Sequence, residues 1–351
     1  MRKSLIDLLA DPESHAPLEL EQGASANGEV LEGTLRTADG RTYSVVRGIP
    51  RFIEIEDAGQ QQTADTFGFK WHQRDSYDSP GFREFALDWF LERYGFESRD
   101  DLRSFFRRQR LTLDAGCGAG FTASLWLEPG WRGDEQAEWV GLDISTAIDV
   151  AKDRLGSVDG VHFVQGDVSS PPFAPGTFDA ILSEGVLHHT PSTEAAIRAL
   201  ASALAPGGEL LFYVYRKKGP LREFADDYIR SVVSKMPPDE AWEALRPLTK
   251  LAQALAELDM AVEVPEDIPY LQIAAGEHDV QRLLYWNFLK LFWNPKLSFE
   301  ENNHVNFDWY HPQYAHRQTE EQLREWCGDC GLEIFHLVEQ ESGFTIRAKK
   351  V

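Results

Sequence analysis

Leu113-Asp114-Ala115-Gly116-Cys117-Gly118-Ala119-Gly120 is the stretch that decides how the chain folds. A short apolar run, Leu111–Ala115, leads into it, and its glycines fall at alternate positions. That spacing lets a backbone turn sharply after a strand and keeps side chains away from a ligand. A helix is expected to open behind the turn, its first N–H groups free to meet an anionic group. The spacing is not the G-x-G-x-x-G of dinucleotide folds, and the Lys-Ser/Thr of a phosphate-binding loop is missing.

Downstream, short apolar runs alternate with helical segments. Trp139–Leu142, Val161–Val164, Phe178–Leu182 and Glu209–Tyr215 read as strands, and Thr193–Leu204 as a helix closed by Pro206-Gly207-Gly208. Such alternation implies βαβ units and a parallel sheet covered on both faces. Three of these strands end in chemistry: Gly141-Leu142-Asp143, Gln165-Gly166-Asp167-Val168, and Ser183-Glu184-Gly185-Val186-Leu187-His188-His189. Open α/β sheets bind ligands at the carboxyl ends of their strands, where an acid can accept both hydroxyls of a ribose. Each feature alone has a plainer reading. Asp143 could cap the next helix with Ser145-Thr146, Asp167 could be a turn residue, and one glycine could serve packing. Together with the glycine turn they form an ordered set of four.

On those residues the chain resembles the class I S-adenosylmethionine-dependent methyltransferases, methyltransferase-11-like, from about Thr66 to Val351 with one interruption. The resemblance rests on the D-x-G-x-G-x-G turn, Asp143, Gly166-Asp167, the run from Phe178 to His189, and Leu204-Ala205-Pro206-Gly207-Gly208. It implies an α/β, Rossmann-like doubly wound sheet of seven strands, the last (Phe344–Lys349) antiparallel. It also implies S-adenosylmethionine as cofactor. Gly116–Gly120 would approach the methionyl part, Asp143 the ribose and Asp167 the adenine amine. Asp114, Cys117, Ile144, Val168, Ser183, Glu184 and Gly185 would complete the cofactor set. His188 and His189 lie beside the expected transfer zone, as a general base or as helix packing.

Composition sets the bounds around this core. The 351 residues carry 35 Lys+Arg against 57 Asp+Glu, a net charge of −22. Nucleic-acid and anionic-membrane partners want a basic face, so the balance favours a small acceptor, carbohydrate-like or natural-product. An RNA methyltransferase and a silent cofactor-binding or partner-tethering module are the alternatives. Three cysteines cannot build a disulfide framework and suit a reducing compartment. Asp7 interrupts the first apolar run, and no stretch approaches the ~20 apolar residues of a membrane span, so a cytoplasmic protein is expected. The basic run Arg99–Arg110 is expected to complement a helix C-terminus rather than bind RNA.

Five segments follow. Residues 1–56 read as a small β-rich unit, with a type I′ hairpin turn at Asp39-Gly40. The unit resembles the zinc-ribbon-like domain of tRNA-methyltransferase activators through Leu8–Pro12, Pro17–Leu20 and Gly48–Ile53. It has Asp11 and Ser14 in place of cysteines, so no metal is expected. Residues 57–110 hold a polar linker (Glu56–Thr66) and helices, and within them Thr66–Trp71 resembles a segment that folds over the cofactor. Residues 111–216 form the cofactor-binding core. Residues 217–316 form a helical, aromatic-rich insertion, a lid without strands. Residues 317–351 complete the sheet, and their Cys327-Gly328-Asp329-Cys330 reads as core and surface thiols. Ten aromatics crowd between Tyr285 and Tyr314, with Asn302, Asn303, His304, Asn306, Asp308, His311, His316 and Arg317 near or among them. Tyr310, His311, Tyr314 and His316, with Trp71, are expected to line an acceptor pocket. Tyr310 and His311 are also candidates for catalysis.

Overall fold

The computed structural model describes residues 1–26, 29–73, 76–133 and 136–351. The chain opens with α1 (Lys3–Ile6) and the strands β1 (Glu19–Ala26), β2 (Glu29–Arg36), β3 (Thr42–Val46) and β4 (Ile49–Arg51). Three helices follow: α2 (Ala58–His72), α3 (Pro80–Tyr94) and α4 (Arg99–Arg107). Next come β5 (Leu111–Ala115), β6 (Glu138–Asp143), α5 (Ala147–Leu155), β7 (Val161–Gln165), β8 (Phe178–Glu184), α6 (Thr193–Ala203) and β9 (Leu204–Tyr215). The insertion contributes α7 (Pro220–Val233), α8 (Pro238–Glu257), the ladder β10 (Ala261–Val264) with β11 (Gly276–Asp279), α9 (Val280–Asn287) and α10 (Phe299–Tyr310). The chain closes with α11 (Glu320–Asp329), β12 (Leu332–Glu339) and β13 (Gly343–Lys350).

Seven strands take the order β7-β6-β5-β8-β9-β13-β12, with β13 antiparallel to both neighbours. The chain moves outward from β5 through β6 to β7, then restarts on the other side at β8. The crevice between the carboxyl ends of β5 and β8 is therefore the topological switch point. Strand alternation divides the core between the two faces. Leu113, Ile181 and Phe212 are fully buried on one side, and Ala180, Leu182 and Leu211 on the other. Each large apolar side chain buried this way contributes about 1.5–3 kcal/mol.

Several local expectations change. The N-terminal strands are continuous with this sheet: Arg51 of β4 pairs in parallel with Gln165 of β7, extending it to eleven strands. The Asp39-Gly40 pair does not make a two-residue turn, because only Gly40 has positive φ (+98°) and type I′ needs two such residues. A longer loop forms instead, with the Arg41 N–H donating to Thr37 Oγ1 at 2.9 Å. The stretch expected to be a linker is helical from Ala58, where the Asp57 carboxylate accepts the Gln60 N–H at 2.7 Å and caps α2. Pro206-Gly207-Gly208 lies inside the start of β9, and a register shift between Phe178 and Ala180 absorbs it. The insertion does contain strands, the β10–β11 ladder.

The glycine turn does not open an α-helix. Only a single 3₁₀ turn, Ala123–Leu125, follows it, and the chain runs irregularly past Pro129 to Trp131. Carbonyls left over by that irregularity are met by the basic residues of α4. Arg103 Nε donates to the Trp126 carbonyl at 3.1 Å and Arg107 Nε to that of Trp131 at 2.9 Å. The basic run thus satisfies buried backbone, while Arg107 also stands in the last turn of α4 as expected.

Asp11 stands in a knot of hydrogen bonds. Its carboxylate accepts the Ser14 N–H (2.8 Å), the Ser14 hydroxyl (2.9 Å) and the Tyr43 hydroxyl (2.6 Å). Burial opposes ionisation, but these donors pull the carboxyl down to about 2. No group of His, Cys, Asp and Glu among the described residues is arranged to hold a metal ion. Nor is any described helix long and apolar enough to cross a membrane. Cys327 is buried, Cys330 is half-buried, and both are free thiols.

Candidate functional site

A cavity of about 650 Å³ runs from the carboxyl ends of the strands into the space beneath the insertion. Its sheet-side wall is Gly116, Asp143, Ile144, Asp167, Val168, Glu184 and Gly185. Gly116 needs its glycine: φ is +85°, and a Cβ there would stand 2.4 Å from the Val186 methyls. Asp143 holds the turn in shape, accepting the Gly118 N–H at 2.7 Å on one oxygen and the Ser145 N–H at 2.8 Å on the other. The Ser145 hydroxyl also donates to that second oxygen at 2.6 Å, so the free lone pair is on the oxygen that accepts from Gly118.

Other residues expected at the cofactor lie one layer behind this wall. Gly118 is covered by Trp71, whose Nε1 would be 2.6 Å from a Cβ at that position. Gly120 packs on Leu155 and Ala151, and Gly166 on Leu142 and Pro172. Cys117 is buried, and the Ser183 hydroxyl donates to the Ala115 carbonyl at 2.9 Å, tying β8 to β5. Asp114 is buried with Oδ2 unpartnered. Burial, reinforced by the charges of Asp143 and Glu184, pushes its carboxyl up to about 8.

Helix α2 closes over the strand ends. Gln60 Nε2 donates to Asp167 Oδ2 at 2.6 Å, and Gly68 packs on Thr146. Within the cavity Lys70 is paired with Asp308 at 2.5 Å, its ammonium 4.4 Å from the Trp71 ring centroid. Burial would raise the Asp308 carboxyl, but Lys70 holds it well below its usual range. On the other side, Arg93 lies between Trp89 and Tyr213, 3.5 and 4.4 Å from their centroids, and pairs with Glu184. Tyr94 donates to the same carboxylate at 2.6 Å. The chamber's remaining walls are aromatic: Phe82, Phe85 and Trp89 from α3, Tyr285 and Trp286 from α9, and Trp309 from α10.

The two adjacent histidines differ. His189 lines the cavity, and its Nδ1 lies 2.6 Å from the Tyr314 carbonyl. A carbonyl only accepts, so Nδ1 carries the proton and Nε2, without a protein partner, presents a lone pair. Burial lowers this imidazole to about 4, so it is neutral at pH 7. His188 is fully buried beneath Tyr215, ring centroids 3.7 Å apart, and does not line this cavity. It packs the sheet.

Most of the residues expected around the acceptor lie elsewhere. Tyr310 donates to buried Asp226 at 2.7 Å, beside Arg222 and Trp309. His311 bridges helices: Nε2 faces the Met236 carbonyl at 3.0 Å, leaving Nδ1 to accept from Thr66 Oγ1 at 2.7 Å. Tyr314 donates to Asp57 Oδ1 at 2.9 Å, anchoring the start of α2, and His316 stacks on Tyr314. The buried asparagines are similarly spent. Asn302 donates to the Asn294 and Ser298 carbonyls at 3.1 and 2.9 Å, Asn303 accepts from Thr249 at 2.8 Å, and Asn306 accepts the Phe292 N–H at 2.8 Å. Burial among aromatics demanded satisfied amides, and the sequence cannot separate that need from ligand binding. Of the residues expected to face the acceptor, Trp71 and His189 line the cavity; so do His304 and Asp308.

Sequence reasoning missed Lys218, Arg282 and Lys290, which line the far end. It also assigned no role to the aromatic face of α3. A helical aromatic stripe looks the same whether it meets a core or a chamber.

An S-adenosyl cofactor is tested by chemistry as well as shape. A buried carboxyl with an orphaned oxygen, beside two further acids, suits a ligand bearing an ammonium and a sulfonium. Gly116 leaves open backbone beside it, so the residues present fit the group.

Residues 113–212 match the family model described as a methyltransferase domain. An uncharacterized protein of Synechococcus is 40% identical over 113 residues, 30% of this chain and 26% of that protein. A probable tRNA methyltransferase 9B of Mus musculus is 32% identical over 130 residues, 35% of this chain and 26% of that protein. A malonyl-[acyl-carrier protein] O-methyltransferase of Serratia marcescens is 29% identical over 145 residues, 41% of this chain and 51% of that protein. The matches therefore span between about a quarter and a half of the relatives' length. Over residues 113–212 the chain is thus similar to the methyltransferase-domain family.

Proposed function

We propose that this protein methylates a small-molecule acceptor held in the aromatic chamber. The observation that carries the reading is the continuity of one cavity from Gly116, Asp143 and Asp167 to the rings of α3, α9 and α10. Its volume of about 650 Å³ suits small ligands, whose sites span roughly 300–1,000 Å³.

Bound S-adenosylmethionine would supply an electrophilic methyl on a sulfonium. Asp143 would accept from ribose hydroxyls and Asp167 from the adenine amine, in place of the Gln60 contact. Asp114 and Glu184 would balance positive charge. The aromatic walls would exclude water and hold the acceptor near attack distance, which supplies several kcal/mol without a strong catalytic group. For an oxygen or nitrogen acceptor that carries a proton, His189 Nε2 is the lone pair best disposed to take it.

One relative is named for tRNA and another for malonyl-[acyl-carrier protein], so the acceptor is argued from this chain alone. A net charge of −22 and a chamber beneath helices favour a small molecule over RNA. The free thiols fit a reducing, cytoplasmic setting. The test uses S-adenosylmethionine labelled in its methyl group, with metabolite extract and total RNA as separate acceptors. Label entering the low-mass fraction is expected. Label entering RNA, or none transferred despite saturable cofactor binding, refutes the proposal.

A further inference from the structure

Charges in the chamber are not evenly matched. Lys70, Arg93 and Arg222 each have a carboxylate partner: Asp308, Glu184 and Asp226. At the far end this stops. Lys290 is 7% exposed, and among the described residues its Nζ has no hydrogen-bond or ion-pair partner. It has only a cation–π contact, 4.7 Å from the Trp309 centroid. Its N–H donates to Asp226 Oδ1 at 2.9 Å, which holds its backbone in place. Lys218 is 8% exposed and reaches the carbonyls of Glu341 and Ser342. Arg282, which is exposed, reaches the Trp293 carbonyl at 3.3 Å and lies 5.6 Å from the Tyr285 ring centroid, with no ion pair among the described residues. Glu341 lines this end too, but it is exposed and forms no ion pair among the described residues.

Three cations with no ion-paired acid among the described residues are unexpected in a chain with 57 Asp+Glu against 35 Lys+Arg. An unpaired ammonium is costly to bury. Burial lowers Lys290 to about 7, which Asp308 partly offsets, and the charge of Lys290 also bears on Lys218. An anion entering here would restore the ammonium and pair it.

Resting on the small-molecule reading above, we propose that Lys290, Lys218 and Arg282 form an anion subsite. It takes the carboxylate or other oxyanion of an acceptor whose apolar body lies among Tyr285, Trp286 and Trp309. The acceptor is then an amphipathic acid, and the subsite sets which end of it points toward the strand ends.

Two fluorescent dyes with the same rings test this: anilinonaphthalene sulfonate, which is anionic, and phenylnaphthylamine, which is neutral. The native protein should bind the sulfonate at least about tenfold more tightly, as a charge-assisted contact allows. Lys290→Met and Lys218→Met should each close most of that gap and leave the neutral dye unchanged. Lys290→Arg should keep the gap, which a role as a proton-accepting amine would not predict, and so should the exposed control Lys250→Met. A gap that is absent in the native protein, or that survives both methionine variants, overturns the subsite. Calorimetry with S-adenosylhomocysteine on the same samples separates the two readings. Lost cofactor binding in the native protein strikes the methyltransferase reading, whereas an unchanged dye ratio with intact cofactor binding strikes only the subsite.

Discussion

The two walls of the cavity are built by different rules. On the sheet side, Gly116, Asp143, Asp167 and Glu184 stand at strand ends, where the local chain alone fixes their position. On the helical side, Lys70, Arg93, His304 and Trp309 converge from three helices, and no local pattern announces their meeting. The first wall is shaped by backbone geometry and the second by packing. Variants in each should therefore fail differently.

The largest effect is expected on the helical side. Asp226 accepts from Arg222, the Lys290 N–H, Trp309 and Tyr310, so one buried carboxylate joins α7, α10 and the turn after α9. Asp226→Asn should destabilise the protein by about 3–5 kcal/mol, the usual cost of breaking a buried pair. Thermal unfolding measures it, and a loss under about 1 kcal/mol would mean the wall does not depend on this knot.

On the sheet side, Gly116→Ala should act on binding more than on folding. The left-handed backbone and the Val186 contact should lower S-adenosylhomocysteine affinity at least tenfold, roughly 1.4 kcal/mol. Calorimetry beside a melting curve shows whether affinity falls more than stability, as this wall requires.

Asp114 gives the sheet wall a pH signature. Its folded carboxyl is raised to about 8, so the stability held by its protonated form is present below the ordinary carboxylate range. That stability is lost as pH rises through about 8. Asp114→Asn should therefore gain on the native apo protein between pH 6 and pH 9, by about 2–3 kcal/mol. A difference that does not vary with pH would mean that Asp114 is already ionised.

The smallest effect separates packing from chemistry. Tyr310→Phe should cost about 1 kcal/mol of stability and leave methyl transfer within about twofold, because the hydroxyl serves Asp226 and not the acceptor. A large fall in turnover with unchanged stability would restore Tyr310 to the catalytic site.

The same contrast explains what the sequence could show. Strand ends are legible because a period-two run and its terminal residue fix depth and direction together, as at Gly141-Leu142-Asp143. The fold was therefore readable from β5 to β9. The missing helix after Gly120 was not, because it depends on Arg103 and Arg107 meeting carbonyls some two dozen residues away in sequence. Nor was the fusion of the N-terminal unit to the sheet, which joins Arg51 to Gln165 and Arg47 and Arg51 to Asp149 and shares one core through Leu35 and Phe52. The histidines and asparagines of the insertion were over-read: buried polar groups need partners whether or not a ligand is near. Lys290 was overlooked for the opposite reason, since a lone lysine between aromatic runs reads as surface.

The claim that the aromatic chamber holds the acceptor is tested most directly by filling it. Ala86 of α3 lines the chamber. Ala86→Trp should leave S-adenosylhomocysteine affinity within about threefold while methyl transfer into metabolite extract falls at least about a hundredfold, the penalty expected when an acceptor cannot reach attack geometry. Undiminished transfer by this variant would contradict the account, because the acceptor would then be bound somewhere other than this chamber.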